Sequence, residues 1–448
     1  METQGIRRDE IIGLLHEMLN KVEQICQKAA PAELLNQQED AAERWVRKIG
    51  QLTIQRGFEL YRQQRPEPRQ FACPCGGQAT HKGRWDTTVS TVLGEVALHG
   101  LAYACRSCKQ TASPGLEQLW LNGRTFTPRL QEAMALLDAS LSQRQAASLL
   151  TRLLRVRVSA GTLSDVAVSW GQAWGGLREQ GAVAALRRFD SKPAEPMYAS
   201  TDGMRVCTPT GWRELKVAAF YNSDKTHKRV CASFSRSDEF SHQLGHYADW
   251  VGALDAAEVR CIGDGAEWVW NVLDTNFPEA SERIIDIFHV HEHLWDYAKI
   301  AYGEGAAQAK RWASEKCHRL KHEGPWLVQR SLVRQRPSSL EAQEALRQLK
   351  GYMSTHADRM DYPRLQAAGV DVGSGPMENA CKQLGVRLKG ADKRWRLERA
   401  EAIAVLRCIY LSDEWDAFPA LVMLNRTGAQ RAALLPLIHR YNEAFMMN

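Results

Sequence analysis

Three acidic residues, Asp202, Asp264 and Glu378, each stand where a glycine-bearing turn would present a carboxylate at the end of a regular element. Asp264 ends the apolar run that starts at Val259 and is flanked by Gly263 and Gly265, which permit a sharp turn and the close approach of something large. An Asp-Gly pair on its own is most often only a turn. Asp202 lies in a second β-prone run, 197–207, and Glu378 follows a glycine-rich entry in which Pro376 suits the first turn of a helix. Carboxylates held side by side repel one another unless a cation lies between them. The set therefore points to divalent metal with hard oxygen ligands, or to acid/base chemistry. The cations that follow Glu378, among them Arg387, Lys389 and Arg394, suit a site that takes metal and polyanion together.

A second group has different chemistry. Cys73 and Cys75 precede a hairpin pattern, and Cys105 and Cys108 follow it. Two close pairs at the ends of a β-hairpin predict a zinc ribbon, four thiolates around one structural Zn2+, although the first pair is one residue shorter than the usual Cys-x-x-Cys. The alternative is four reduced, buried cysteines. His81 or His99 could substitute for one ligand, or each is an ordinary surface or hairpin histidine. His289, three residues after Asp286, can reach a phosphate or leaving oxygen if it faces the acids, or else it caps a strand end. His291 and His293 lie two apart on a helix and so point away from one another.

These residues need elements to position them. The runs 197–207, 212–221 and 228–234 predict an antiparallel meander, and the amphipathic stretch 239–256 a crossover helix into the Asp264 strand. That strand is then parallel to the first, which brings Asp202 and Asp264 together. Residues 7–65 read as a helical arm broken near Ala30-Pro31, serving either dimerisation and DNA-end binding or packing on the next domain. The hairpin is expected to turn at Gly94-Glu95. Residues 141–150 and 156–166 form a helix-turn-helix pattern flanked by Arg152, Arg155 and Arg157, as phosphate contacts would require. Prolines and charge mark linkers at 62–69 and 187–196. Residues 303–370 are helical and basic, with Trp312 and Trp326 among the cations, and present either a solvated face or a DNA-backbone surface. Residues 399–411 read as a core helix.

The motifs Thr201-Asp-Gly203, Gly263-Asp-Gly-Ala-Glu-Trp268, Asp286-Ile-Phe-His289 and Gly373-Ser-Gly-Pro-Met-Glu378, followed by Arg387-Leu-Lys-Gly390 and Trp395, resemble those of the bacterial insertion-sequence D-D-E transposases of the Kra group, which are related to the Mutator-like and hAT-like sets. The resemblance covers about residues 70–415. It implies a ribonuclease-H-like α/β core with an all-helical insertion, and two Mg2+ (or Mn2+) ions held by Asp202, Asp264 and Glu378. It also implies His289 in the shared Asp-x-x-His element, and Arg387, Lys389, Arg394 and Trp395 as DNA contacts. The expected organisation is a helical arm (1–66), a zinc-ribbon-like domain (67–122), a helix-turn-helix region (123–190), the first part of the core (191–302), the insertion (303–370), and the rest of the core with C-terminal helices (371–448).

With 448 residues, 44% hydrophobic, the chain can build a large core. Its net charge of +6 is only mildly basic, so the clustering of charge says more than its sum. The absence of any long apolar run and of a signal-peptide core predicts a cytoplasmic protein, nucleoid-associated when bound to DNA, with no membrane partner. Eleven cysteines, an odd number, argue against a disulfide scaffold. The expected activity is transposition: binding the inverted ends of an element, cleaving phosphodiester bonds and joining 3′ ends to target DNA, as a homodimer or larger assembly. The competing readings are a nuclease of the same fold without strand transfer, and a DNA-binding regulator with a vestigial core.

Overall fold

The computed structural model describes residues 8–65, 69–113, 119, 125–179, 196–225, 228–390, 393–416, 418–419 and 422. It is a mixed α/β chain with two sheets, and it divides into two compact units, residues 1–167 and 168–422. The division falls inside a helix. The linker expected at 187–196 lies outside the described residues apart from its last position, and so does the centre of the linker at 62–69.

The first unit opens with two helices, α1 (Arg8–Lys28) and α2 (Leu34–Gln64), broken where Pro31 was expected to break them. Next comes a four-stranded antiparallel sheet in the order β1 (Gln70–Ala72), β2 (Gln78–Thr91), β3 (Gly94–Cys105), β4 (Thr111–Ala112). Phe58 of α2 packs with Val89, Val96 and Leu98, so the arm is a layer over the hairpin. The hairpin turns at Val92-Leu93, earlier than the Gly94-Glu95 turn expected from the sequence. The reason is local. Thr91 Oγ1 accepts from the Leu93 amide at 3.0 Å and donates to the Gly94 carbonyl at 2.8 Å, while Arg47 and Gln51 of α2 donate to the Val92 and Leu93 carbonyls. Gly94, at φ 112°, takes the left-handed conformation that follows.

The helices α3 (Pro128–Ser140), α4 (Gln143–Leu154) and α5 (Ala160–Glu179) come next. Ser142 and Gln145 form a reciprocal capping box on α4, and Ser159 Oγ accepts from the Thr162 amide to open α5.

The second unit carries a five-stranded sheet in the order β7-β6-β5-β8-β9: β5 (Met197–Thr208), β6 (Gly211–Asn222), β7 (Lys228–Ser233), β8 (Val259–Gly263) and β9 (Glu282–Ile285). The first three are antiparallel in sequence order, whereas β8 pairs parallel with β5 and β9 parallel with β8. Every residue from Leu215 to Asn222 is buried, so the middle of the sheet is covered on both faces. The crossover into β8 contains α6 (Ser237–Trp250), shorter than the stretch expected, because residues 251–258 form turns. After β8 come α7 (Glu267–Asn276) and, beyond β9, α8 (Ile287–Tyr302). The insertion is helical as expected: α9 (Ala307–Glu323), α10 (Pro325–Val333), α11 (Leu340–Thr355) and α12 (Tyr362–Ala367). Two helices finish the described chain, α13 (Gly375–Leu388) and the buried α14 (Leu397–Leu411). Trp170, Trp174, Trp250 and Phe418 meet edge-to-face with ring centres 5.4 to 5.5 Å apart, an aromatic core beneath α5 and α6.

Candidate functional site

The parallel register Thr201↔Gly263↔Ile285 makes the next residue of each strand Asp202, Asp264 and Asp286. Three acids thus stand in a row, Asp264 and Asp286 just past the ends of β8 and β9 and Asp202 within β5 beside them, and each is held differently. Asp202 Oδ1 accepts from the Gly203 amide at 2.6 Å, and the Cys381 thiol donates to Asp202 Oδ2 at 3.6 Å. Asp264 Oδ1 accepts from the Ala266 amide at 2.9 Å, an Asx-type turn into α7, and its carbonyl accepts from the Trp270 indole at 2.7 Å. Asp286 is buried. Its Oδ1 caps α8 through the Phe288 amide at 2.8 Å, and its Oδ2 accepts from both the amide and the hydroxyl of Ser374.

Ser374 is the N-cap of α13, but its hydroxyl turns to Asp286 instead of capping the helix. The first turn of α13 carries Glu378. Asp202, Asp286, His289, Glu378 and Cys381 line one cavity of about 590 Å³. Asp264 stands beside it, near enough for its charge to act on Asp202. Burial above all, then Asp264, raises the Asp202 carboxyl above the ordinary range, against the pull of the Gly203 amide, His289 and Cys381. The ligand atoms of Asp202, Asp264 and Glu378 do not all lie within 4.8 Å of one another.

His289 lines this cavity, with Nδ1 3.3 Å from Glu292. His291 lines it too, and burial lowers its pKa, whereas His293 stacks on Tyr352 with ring centres 4.1 Å apart. The two point to different surroundings, as their spacing required. The close approach expected at Asp264 is also present: a Cβ on Gly265 would run into the Tyr352 ring and lie 3.0 Å from His356 Nε2. The insertion is what approaches. Asp286, Ser374 and Cys381 were the residues whose part the sequence did not reveal. The Asp286 register could have been read from the parallel strands, while the thiol carried no signal.

Of the four DNA contacts expected after Glu378, Lys389 and Arg394 are exposed. Arg387 is only 4% exposed and lies over the Trp395 ring at 4.7 Å, and the Trp395 indole donates to the Leu388 carbonyl at 3.0 Å. These two are a packing pair here, because Leu384, Arg387 and Leu388 share the buried face of α13. Arg152 and Arg155 are both exposed, but Arg155 is bound to Glu43 at 3.1 Å. The second helix of the pair, α5, buries Leu163, Val166, Ala167, Trp170 and Trp174, and no Lys or Arg occurs between positions 160 and 175. Among its described side chains, through Gly175, there is none of the cations that a groove-reading helix presents. In the insertion, Trp312 and Lys316 are buried and Trp326 is exposed.

The cysteine group, in the first unit, is closed. The Sγ atoms of Cys73, Cys75, Cys105 and Cys108 all lie within 4.8 Å of one another, with Cys73–Cys108 at 3.7 Å and Cys75–Cys105 at 3.6 Å. A tetrahedron with zinc–sulfur bonds of about 2.3 Å has edges of roughly 3.8 Å, so the four sulfurs could hold a structural zinc. The amides of Cys108 and Ser107 donate to Cys105 and draw its thiol down to about 6. Gly77 is needed for this fit, since a Cβ there would lie 3.1 Å from Cys105 Sγ and 2.6 Å from Ser107 Oγ. The short Cys-x-Cys spacing is accommodated by Gly76 at φ 83°. His99 is occupied with Asp86 at 2.9 Å, and His81 packs edge-on to Tyr103.

Among the described residues, no helix is long and apolar enough to cross a membrane. No protein-family model matches the chain, and no curated protein matches it either.

Proposed function

We propose that the chain is a metal-dependent D-D-E transposase that binds the inverted ends of its element, cleaves there and transfers the 3′ ends to a target duplex. One observation carries the reading: Asp202 and Asp264 are adjacent in parallel register, and Glu378 opens on the cavity that Asp202 lines. The sheet supports a ribonuclease-H-like core, being an antiparallel meander extended by two strands parallel to its first, with a helical insertion before the helix of the third acid. The donors fit hard divalent ions. Carboxylate oxygens prefer Mg2+ or Mn2+ over softer metals, and burial first, with the neighbouring Asp264 charge after it, raises the Asp202 pKa.

Asp202, Asp264 and Glu378 would hold the ions, which supply Lewis-acid activation of water and stabilisation of the leaving oxygen when bound. The rest of the work belongs to the chain. Asp286 fixes the start of α13 through Ser374 and so sets where Glu378 stands. His289 faces the cavity as a proton donor or phosphate contact, and Lys389 and Arg394 offer charge to the DNA backbone.

The test is Mg2+-dependent cleavage of a plasmid carrying the DNA ends that flank the coding sequence, comparing the intact chain with Asp264→Asn. Nicking at the ends that vanishes in the variant, followed by joining to a second duplex, supports the proposal. Nicking without joining favours the nuclease, and end binding with no cleavage under any divalent metal favours the regulator.

A further inference from the structure

The second unit contains another concave site that the transposition chemistry does not use. α6 presents Glu239, His242, Gln243 and His246 at positions i, i+3, i+4 and i+7, which is one helical face. Facing it, α14 presents Glu398 and Glu401. These side chains line a cavity of about 700 Å³, and none of its lining residues is a lysine or arginine. Three carboxylates and two imidazoles therefore converge without a cation among them.

The imidazoles of His242 and His246 are already paired, with ring centres 4.6 Å apart. Two histidines one turn apart on a helix can ligate one ion, and Glu239-x-x-His242 adds a carboxylate from the preceding turn. Glu401 is aimed by the Ser233 hydroxyl at 2.9 Å, and Glu398 accepts from Gln172 at 2.6 Å. No three of these ligand atoms are drawn within 4.8 Å of one another, so loading requires a glutamate to swing inward by a rotamer change. Mutual repulsion keeps the carboxylates apart until a cation arrives.

We infer that this cavity binds a divalent transition metal of borderline softness, Zn2+ in the first instance, through His242, His246 and a glutamate. Mixed imidazole and carboxylate donors select such ions over Mg2+. The inference is independent of the transposase reading. A second histidine pair with the same spacing, His318 and His322 on α9 with ring centres 4.5 Å apart, is not among the residues lining this acidic cavity and serves as the internal control.

The experiment measures zinc per chain by elemental analysis after equilibration with Zn2+ in excess Mg2+, which occupies hard carboxylate sites. It compares the intact full chain, His242→Ala/His246→Ala and His318→Ala/His322→Ala. All four histidines stand on helix surfaces, and circular dichroism verifies that each variant is folded. The intact chain and the His318→Ala/His322→Ala variant should each hold one zinc more than His242→Ala/His246→Ala, whose affinity at this site falls at least ~100-fold. Co2+ substitution should add a weak visible band without thiolate charge transfer, and that band should disappear in the same variant. Equal zinc in all three proteins, or an equal loss from both double variants, overturns the inference.

Discussion

The cysteine cluster and the row of acids are both sets of potential metal ligands, yet one is closed and the other is held open. The four sulfurs lie within 4.8 Å of one another, two pairs of them at 3.6 and 3.7 Å, and Cys73 and Cys105 sit in a small core with Tyr103, Phe71 and Leu101. The acids do not close in this way. Each of the three accepts from a backbone amide one or two residues further along the chain, which holds it at its own place in the row. The difference separates a cluster whose ligand atoms already stand at metal-binding distance from a row of acids whose ligand atoms do not. A structural metal, where one binds, stabilises the shape around it.

The largest effect should come from breaking the closed site. Cys105→Ser, or a strong chelator, should unfold the first sheet, since structural zinc contributes on the order of 10 kcal/mol or more. Limited proteolysis should then cut between residues 70 and 112 while the second unit stays intact; a sheet that resists cleavage counts against structural zinc. Next, Glu378→Gln should lower end cleavage by at least ~10²-fold while leaving end binding unchanged, as gel shift and nicking on one substrate would report. Cleavage at the normal rate would remove Glu378 from the set.

Asp286→Asn replaces the acceptor of the Ser374 amide and hydroxyl with a weaker one. It should cost about 1–3 kcal/mol in denaturant unfolding and slow cleavage ~10-fold or more, with Asp286→Glu giving no rescue because Asp286 is buried with both oxygens already bonded. Unfolding energies equal to those of the intact chain would break that link. The smallest effect concerns Asp202. Its folded pKa lies above its unfolded one, so the folded state binds the proton more tightly, and the group favours folding as pH falls. Without divalent metal, Asp202→Asn should therefore raise Tm at neutral pH, and the gap should close as the pH drops below the ordinary carboxylate range. A gap that widens in acid would reverse the assignment.

Much of this was legible in the sequence because alternation and glycine placement act locally. The meander, the parallel strand, the helical insertion and the arm broken near Pro31 follow from periodicity. What was missed depended on partners distant in the chain. The hairpin turn moved to Val92-Leu93 because residues of α2 hold it there. Arg387 looked like a DNA contact in a basic run, although its place between Leu384 and Leu388 already marked the inward face. Two helices stand where the helix-turn-helix pattern was read, and the apolar positions of the second continue through Trp174 with no Lys or Arg among residues 160–175. The role of Asp286 required knowing that β9 lies beside β8.

The bond between Asp286 and Ser374 is reinforced by the backbone, where the Ile287 amide donates to the Val372 carbonyl at 3.0 Å. Those contacts tie the end of β9 and the start of α8 to the entry of α13, so the segment from α8 to α12 has its two ends joined. A segment with joined ends can take added length at a loop away from the join without carrying Glu378 off, although its helices belong to the site: α8 carries His289, Tyr352 lies against Gly265 and the Tyr362 hydroxyl donates to the Ile285 carbonyl at 2.9 Å. The turn at 303–306, between α8 and α9, is the place to splice a reporter or a foreign binding module into this chain.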